Sequence, residues 1–342
     1  MRVFVTGVDG YIGAVLAPYL LARGMEVAGL DTGYYREGTL YALNGSAPAV
    51  PTLRKDLRRV TAADLDGCEA VVHLAELSND PLGQNNPRVT HLINHQGSVT
   101  LAREALHAGI ARFVYTSSCS VYGAGSGELL DEDAALNPQT AYAECKVLVE
   151  RDLRGMAGAS FTPVLLRNAT AFGPSPRMRF DVVINDLCAL AWTTQRIAMT
   201  SDGSPWRPVV HVEDICEAIY RALLAPADAV CARVYNVGQT EENYRVRELA
   251  QIVADEFPGC SVSVGPPSGD SRSYRVSFER IRRELPGFRC RYTARDGTRQ
   301  LRELFELIKM TPDTYQFRAF TRLRQLKHLQ ASGQIDDEFY WR

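Results

Sequence analysis

Arg2-Val3-Phe4-Val5-Thr6-Gly7-Val8-Asp9-Gly10-Tyr11-Ile12-Gly13 is an apolar β-run that leads into glycines at every third position. A helical pattern continues from Tyr11 to Ala22, Gly24 stops it, and a second apolar run covers Glu26–Leu30. Strand, glycine turn, helix and strand in this order imply a right-handed βαβ unit in a parallel sheet. Glycines at Gly7, Gly10 and Gly13 permit a tight turn and let backbone approach a diphosphate, whose charge then sits on the helix N-terminus. Asp31 closes the second run. A carboxylate there accepts from a ribose 2′-hydroxyl and repels a 2′-phosphate. The pattern points to a dinucleotide, and to NAD over NADP, with Arg36 nearby working against that preference.

The alternation continues. Ala70–Leu74 reads as a strand, Pro87–His107 as a helix closed by Gly109, Arg112–Thr116 as a strand, Thr140–Leu153 as a helix and Thr162–Leu166 as a strand. Beyond about residue 170 the spacing turns irregular, and the Gly-, Pro- and Arg-rich segments Gly173–Arg179, Asp202–Pro208 and Gly265–Ser273 interrupt it. The expected architecture is α/β: a doubly wound parallel Rossmann sheet with a smaller C-terminal α/β substrate lobe. Residues 1–170 and 208–240 form the dinucleotide-binding domain, 171–207 and 241–310 the substrate lobe, and 311–342 a helical C-terminal extension. That extension ends in Asp336-Asp337-Glu338-Phe339-Tyr340-Trp341 and is expected to pack across the substrate lobe or a partner subunit.

Composition narrows the function classes. The chain has 342 residues, 46% hydrophobic and 23% charged, with a net charge of −2, which gives no electrostatic reason to expect nucleic acid or an anionic membrane as partner. The apolar stretch Ala14–Ala22 contains Pro18 and is too short to span a bilayer. With no secretory pattern at the N-terminus, the expected location is cytoplasmic. The eight cysteines form no C-x-x-C pair and the six histidines no H-E-x-x-H, so neither a metal site nor a disulfide framework is expected.

Tyr142 and Lys146 are four apart on a helical segment and share a face. An ammonium near a phenol favours the phenolate, so the tyrosine can serve as general acid or base. Ser118, at the end of the preceding strand, is placed to hydrogen-bond a reacting hydroxyl. Strand C-terminal ends face the cofactor crevice in such sheets, on the side of Gly7–Gly13.

These residues resemble the extended short-chain dehydrogenase/reductase family, in its NAD-dependent sugar-nucleotide epimerase/dehydratase group. The likeness runs from Met1 to about Leu307. It rests on Thr6–Gly13, Asp31, Asp56-Leu57, His73-Leu74-Ala75, Asn94, Ser117-Ser118 with Val121-Tyr122-Gly123, Tyr142/Lys146 and Arg207 through Asp214, in that order. It implies NAD as cofactor, held by Gly7, Gly10, Tyr11, Ile12, Gly13, Asp31, Asp56, Leu57, Leu74, Ala75, Tyr142 and Lys146. It implies Ser118, Tyr142 and Lys146 as the catalytic set. A nucleotide-diphosphate sugar would meet Ser78, Asn79, Ser118, Cys119, Ser120, Thr170, Arg207 and Arg272, with Arg207 gripping the diphosphate. The family also pairs helices equivalent to Pro87–His107 and Thr140–Leu153 in a homodimer. Here they serve equally well as ordinary sheet-covering helices.

The chain departs from the family pattern at four places. Cys119 and Ser120 stand where 4,6-dehydratases carry an Asp-Glu pair, and Ser120 also replaces a decarboxylase glutamate. Thr170 replaces the substrate-binding asparagine of L-R-x-x-N. The late R-P-G-D motif survives as Pro266-Pro267-Ser268-Gly269-Asp270, for whose missing arginine Arg272 or Arg275 compensates. Glu76 stands where a small residue is usual, either as a third acid/base group or, in the plainer reading, as a helix-capping carboxylate. The expected function is an NAD-dependent epimerase of a nucleotide-activated sugar, working through a transient keto sugar. The alternative is a ketoreductase that consumes reduced nicotinamide. A non-catalytic NAD-binding regulator ranks below both, since such proteins lose the tyrosine or lysine that are present here.

Overall fold

The computed structural model describes residues 1–42, 50–267 and 272–342. The apolar runs pair into one parallel sheet of seven strands: β1 (Arg2–Thr6), β2 (Glu26–Asp31), β3 (Thr52–Arg54), β4 (Ala70–His73), β5 (Arg112–Ser118), β6 (Thr162–Asn168) and β7 (Val234–Val237). The order across the sheet is β3-β2-β1-β4-β5-β6-β7. Val5 sits opposite Gly29 on one side and Val72 on the other. Helices cover both faces, so inner strands such as β4 are buried at every residue, as a parallel sheet requires. Strand order reverses at β1, and the crevice outside the carboxyl ends of β1 and β4 is where such sheets bind ligands.

Two strands are longer than their sequence patterns. β5 runs on to Ser118 and β6 to Asn168, and these two residues pair, which carries both to the rim of the crevice. β3 is short and largely exposed, so no apolar pattern announces it. β7 returns to the first sheet from beyond the irregular segments, while the strand before it, Trp206–His211, belongs to a separate sheet.

Helix α1 (Gly13–Leu21) opens on the last glycine of the turn. The helical stretch of residues 87–107 is continuous but widens into a π-type turn at His91–Gly97. The Asn94 side chain in that turn accepts from Leu77 N at 2.8 Å and donates to Leu77 O at 3.0 Å, pinning the loop after β4. Helix α2 (Ala141–Met156) is capped by Thr140, whose hydroxyl accepts from Ala143 N.

The second lobe holds a three-stranded sheet of Thr170–Phe172, Trp206–His211 and Asn243–Arg245, packed with Phe180, Leu301 and Phe305 in its own core. Ser273–Val276 pairs in parallel with Ala124–Leu130, a link absent from the sequence expectation because the partners lie far apart along the chain. The extension forms Pro312–Gln316 and helix α3 (Arg322–Ala331). Its Leu326, Leu329, Ile335 and Phe339 bury against Tyr34, Leu77, Leu82 and Ile93, so it clasps the first domain as well as the second lobe. Among the described residues no helix is long and apolar enough to cross a membrane.

Candidate active site and cofactor cleft

Two connected cavities open at the carboxyl ends of the strands. The first is lined by Gly7, Gly10, Tyr11, Ile12, Gly13, Asp31, Asp56, Leu57, Leu74 and Ala75, together with Tyr35, Arg179 and Arg322. The structure thus gathers all the cofactor residues expected from the sequence except Tyr142 and Lys146, which line the neighbouring cavity. The glycines are there for space. A Cβ on Gly7, at φ +71°, would meet Ala75 N at 2.9 Å, and one on Gly13 would meet Gly7 O at 2.2 Å. Only bare backbone lets β1, α1 and the β4 loop close this tightly.

Asp31 accepts from Gly33 N at 2.7 Å and Asp9 N at 3.1 Å. Burial pushes its carboxyl above the usual range, and the Gly33 N–H holds it back. The Tyr11 hydroxyl donates to Gly173 O at 2.7 Å, tying the turn to the second lobe. His73 is structural: its ring lies 2.7 Å from both Thr6 Oγ1 and Ser98 Oγ, and burial pushes its pKa down to about 3.

The second cavity is lined by Ser118, Ser120, Tyr142, Lys146, Ser78, Asn79, Asn168, Thr170, Arg207 and Arg272, with Glu76 shared between the two. Arg207 donates to the carbonyls of Trp206 and Arg272, and Arg272 meets Asp80 at 2.6 Å. Both expected guanidiniums therefore stand on one wall. Ser268-Gly269-Asp270 of the degenerate late motif lies outside the described residues.

Several expectations are corrected. Cys119 faces the core, its thiol donating to Arg167 O, because the chain coils into a short helical turn right after Ser118. Asn79 borders the cavity, and its side chain accepts from Leu82 N and donates to Asp181. It is Asn79 that does the capping, so Glu76 is no cap. Glu76 is buried, with Lys146 Nζ 2.7 Å from its Oε2 and the Tyr115 hydroxyl donating to its Oε1 at 2.8 Å. Burial pushes its carboxyl up, and Lys146 opposes that. The phenol of Tyr142 is accordingly not lowered. Burial raises its pKa, the carboxylates of Glu76 and Asp80 raise it further, and a hydrogen bond with Ser118 pulls the other way. Lys146 Nζ donates to Thr116 O at 2.5 Å and lies 5.4 Å from the centre of the Tyr142 ring. Its charge is largely met by Glu76.

Asn168 escaped the sequence reading. It lies two residues before Thr170 at the end of β6, a spacing that returns to the same face of an extended chain. Its Oδ1 is buried without a partner, as is Ser120 Oγ. Orphaned polar atoms on a cavity wall suit a hydroxyl-rich ligand. The L-R-x-x-N comparison could have revealed it, had the asparagine been sought by face rather than by position.

Comparison with known proteins agrees with this geometry. The model of the NAD dependent epimerase/dehydratase family matches residues 3–238. A UDP-glucose 4-epimerase of Mycolicibacterium smegmatis is 32% identical over 324 residues, covering 89% of this chain and 98% of that protein. A dTDP-glucose 4,6-dehydratase of Streptomyces griseus is 30% identical, covering 86% of this chain and 91% of that protein. Among solved structures, MoeE5 in complex with UDP-glucuronic acid and NAD superposes with a TM-score of 0.76 at 26% identity, covering 90% of this chain and 99% of that one. The chain belongs to the NAD-dependent epimerase/dehydratase family of extended short-chain dehydrogenase/reductase enzymes, with NAD as its cofactor.

Proposed function

We propose that the protein epimerises a nucleotide-diphosphate sugar by transient oxidation at one carbinol carbon. The observation that carries this reading is the side chains around the reacting position. Ser118, Tyr142 and Lys146 are together at the cavity, while the two positions after Ser118 present a thiol turned to the core and a serine hydroxyl. A carboxylate pair for eliminating water has no place there. Glu76, a carboxylate of the cavity wall, is already engaged by Lys146 and Tyr115.

NAD, when bound, supplies the hydride acceptor and donor. Tyr142 takes the proton of the sugar hydroxyl and later returns it, Ser118 orients that hydroxyl, and Lys146 fixes the charge around the phenol. Arg207 and Arg272 suit the substrate's diphosphate as guanidinium forks, and Asn168, Ser120 and Thr170 the sugar's hydroxyls. The extension packed beside the cofactor cleft supports a cofactor that stays through the cycle, as an epimerase requires and a ketoreductase does not.

The test incubates the NAD-loaded enzyme with nucleotide sugars deuterated at the carbinol carbon. The expected result is an epimeric product that keeps its deuterium, with no net gain or loss of reduced nicotinamide. A dehydrated product, or stoichiometric consumption of reduced nicotinamide, would overturn the reading.

A further inference from the structure

The cofactor cleft has a second wall that the glycine motif does not announce. Arg179 follows the Gly- and Pro-rich segment after Phe172, and Arg322 opens helix α3 of the extension. Both line the same cavity as Gly7–Gly13, and only 7% and 2% of their surfaces are exposed.

Their partners meet only part of the charge, through Asp181. Arg179 Nε donates to Asp181 Oδ1 at 2.8 Å and Nη1 to Ser78 Oγ at 3.2 Å, but Nη2 is buried with no partner. Arg322 donates to two neutral acceptors, Ala319 O at 3.1 Å and Arg177 O at 3.2 Å, and its guanidinium lies 4.3 Å from the centre of the Tyr35 ring. The Tyr35 hydroxyl is also buried without a partner. Among the described residues Asp181 is the only carboxylate hydrogen-bonded to either guanidinium, and it is shared with Asn79 and the backbone N–H of Arg322. Asp31 is near enough to act on Arg322, but its oxygens already hold two backbone N–H groups. Burying two guanidiniums against so little counter-charge is costly unless an anion completes the site.

We propose that Arg179 and Arg322 bind the pyrophosphate of the dinucleotide, so that the C-terminal extension is part of the cofactor site. A diphosphate offers oxygens for the vacant Arg179 N–H and a dianion for the paired guanidiniums. The extension is fastened on both sides of the cleft. Phe180 N donates to Phe320 O at 2.9 Å and Gln325 Nε2 to Tyr34 O at 3.1 Å, and Trp341 Nε1 donates to Thr32 O at 2.7 Å. Arg322 is thus presented by a segment that must lift before a dinucleotide held this way departs. The inference concerns cofactor binding alone and stands whichever reaction the family member performs.

The test measures the affinity of the full chain for NAD, ADP-ribose and adenosine by calorimetry, in the parent and in Arg179→Gln, Arg322→Gln and Arg322→Lys. A hydrogen bond to a charged group is worth enough to predict losses of about 10–100-fold. Those losses should appear for NAD and ADP-ribose in both glutamine variants and be absent for adenosine, which lacks the diphosphate. Arg322→Lys should recover part of the loss through its charge. Equal losses for adenosine and ADP-ribose would mean that the arginines merely shape the cleft, and unchanged ADP-ribose binding would remove them from it. Should Arg322→Gln fail to fold, the Arg179→Gln and Arg322→Lys comparisons decide by the same criterion. Failure of the parent to bind NAD would count against the cofactor assignment instead.

Discussion

Two buried ion pairs lie one helical turn apart on α2, and they are built to different standards. Glu150 accepts from Arg167 Nε at 3.0 Å, from Nη2 at 2.7 Å and from the Ser117 hydroxyl at 2.5 Å. The guanidinium also donates to Tyr122 Oη and Glu132 O, and Tyr122 in turn donates to Asn236. Every group in that network has a partner, and neither Glu150 nor Arg167 lines the cavity. Lys146 and Glu76, one turn earlier, meet each other on the cavity wall itself, where Thr116 O accepts from Lys146 and the Tyr115 hydroxyl donates to Glu76. A satisfied, enclosed pair fixes the position of β5 and β6 against the helix. A pair with an open side can change partners when a ligand arrives, and can set the charge felt by a neighbouring phenol.

The largest effect that separates the two levels is expected from Tyr142→Phe. Loss of the proposed proton-transferring group should lower kcat by about 10²–10⁴-fold, while the unfolding midpoint stays near that of the parent. A variant that keeps its turnover would remove Tyr142 from the chemistry. The next effect belongs to the lower level. Glu150→Gln leaves Arg167 buried without its carboxylate, and breaking such a pair costs about 3–5 kcal/mol. Denaturant unfolding should show that loss. An unchanged midpoint would mean that the enclosed network carries no more stability than the open pair.

The contrast also marks what the sequence could disclose. The glycine turn, Asp31 and the apolar runs of β1, β2 and β4 are local patterns whose physics acts within a few residues, so the sheet and the phosphate cradle were legible. Tyr142 and Lys146 were legible as a spacing on one helix. The carboxylate that meets Lys146 was not, because Glu76 arrives from another strand end and a buried charge looks the same in sequence as a solvated one. Arg179 and Arg322 were hidden for the same reason, since they converge from positions separated by most of the second lobe. Cys119 was misplaced because its direction depends on a single tight turn after Ser118. Asn168 was passed over because alternation along β6, rather than position in a motif, decides which side chains face the cavity.

The smallest effect is the most informative about the open pair. Glu76→Gln keeps the size of the side chain and an oxygen for the Tyr115 hydroxyl but removes the negative charge beside Lys146. The Glu76 carboxylate raises the pKa of Tyr142, so its loss lowers that pKa. Catalysis that requires the phenolate rises with pH as the phenol ionises, and the acid limb of the kcat profile should therefore move to lower pH. Lys146 keeps Thr116 O and a face toward the cavity, so the loss of stability should be smaller than for Glu150→Gln. A shift of the limb toward higher pH, or a destabilisation as large as that of Glu150→Gln, would make Glu76–Lys146 a second structural pair and erase the distinction between the two turns of α2. An acid shift with a near-parental unfolding midpoint would instead mean that the Glu76 carboxylate, added to burial, sets how firmly Tyr142 holds its proton.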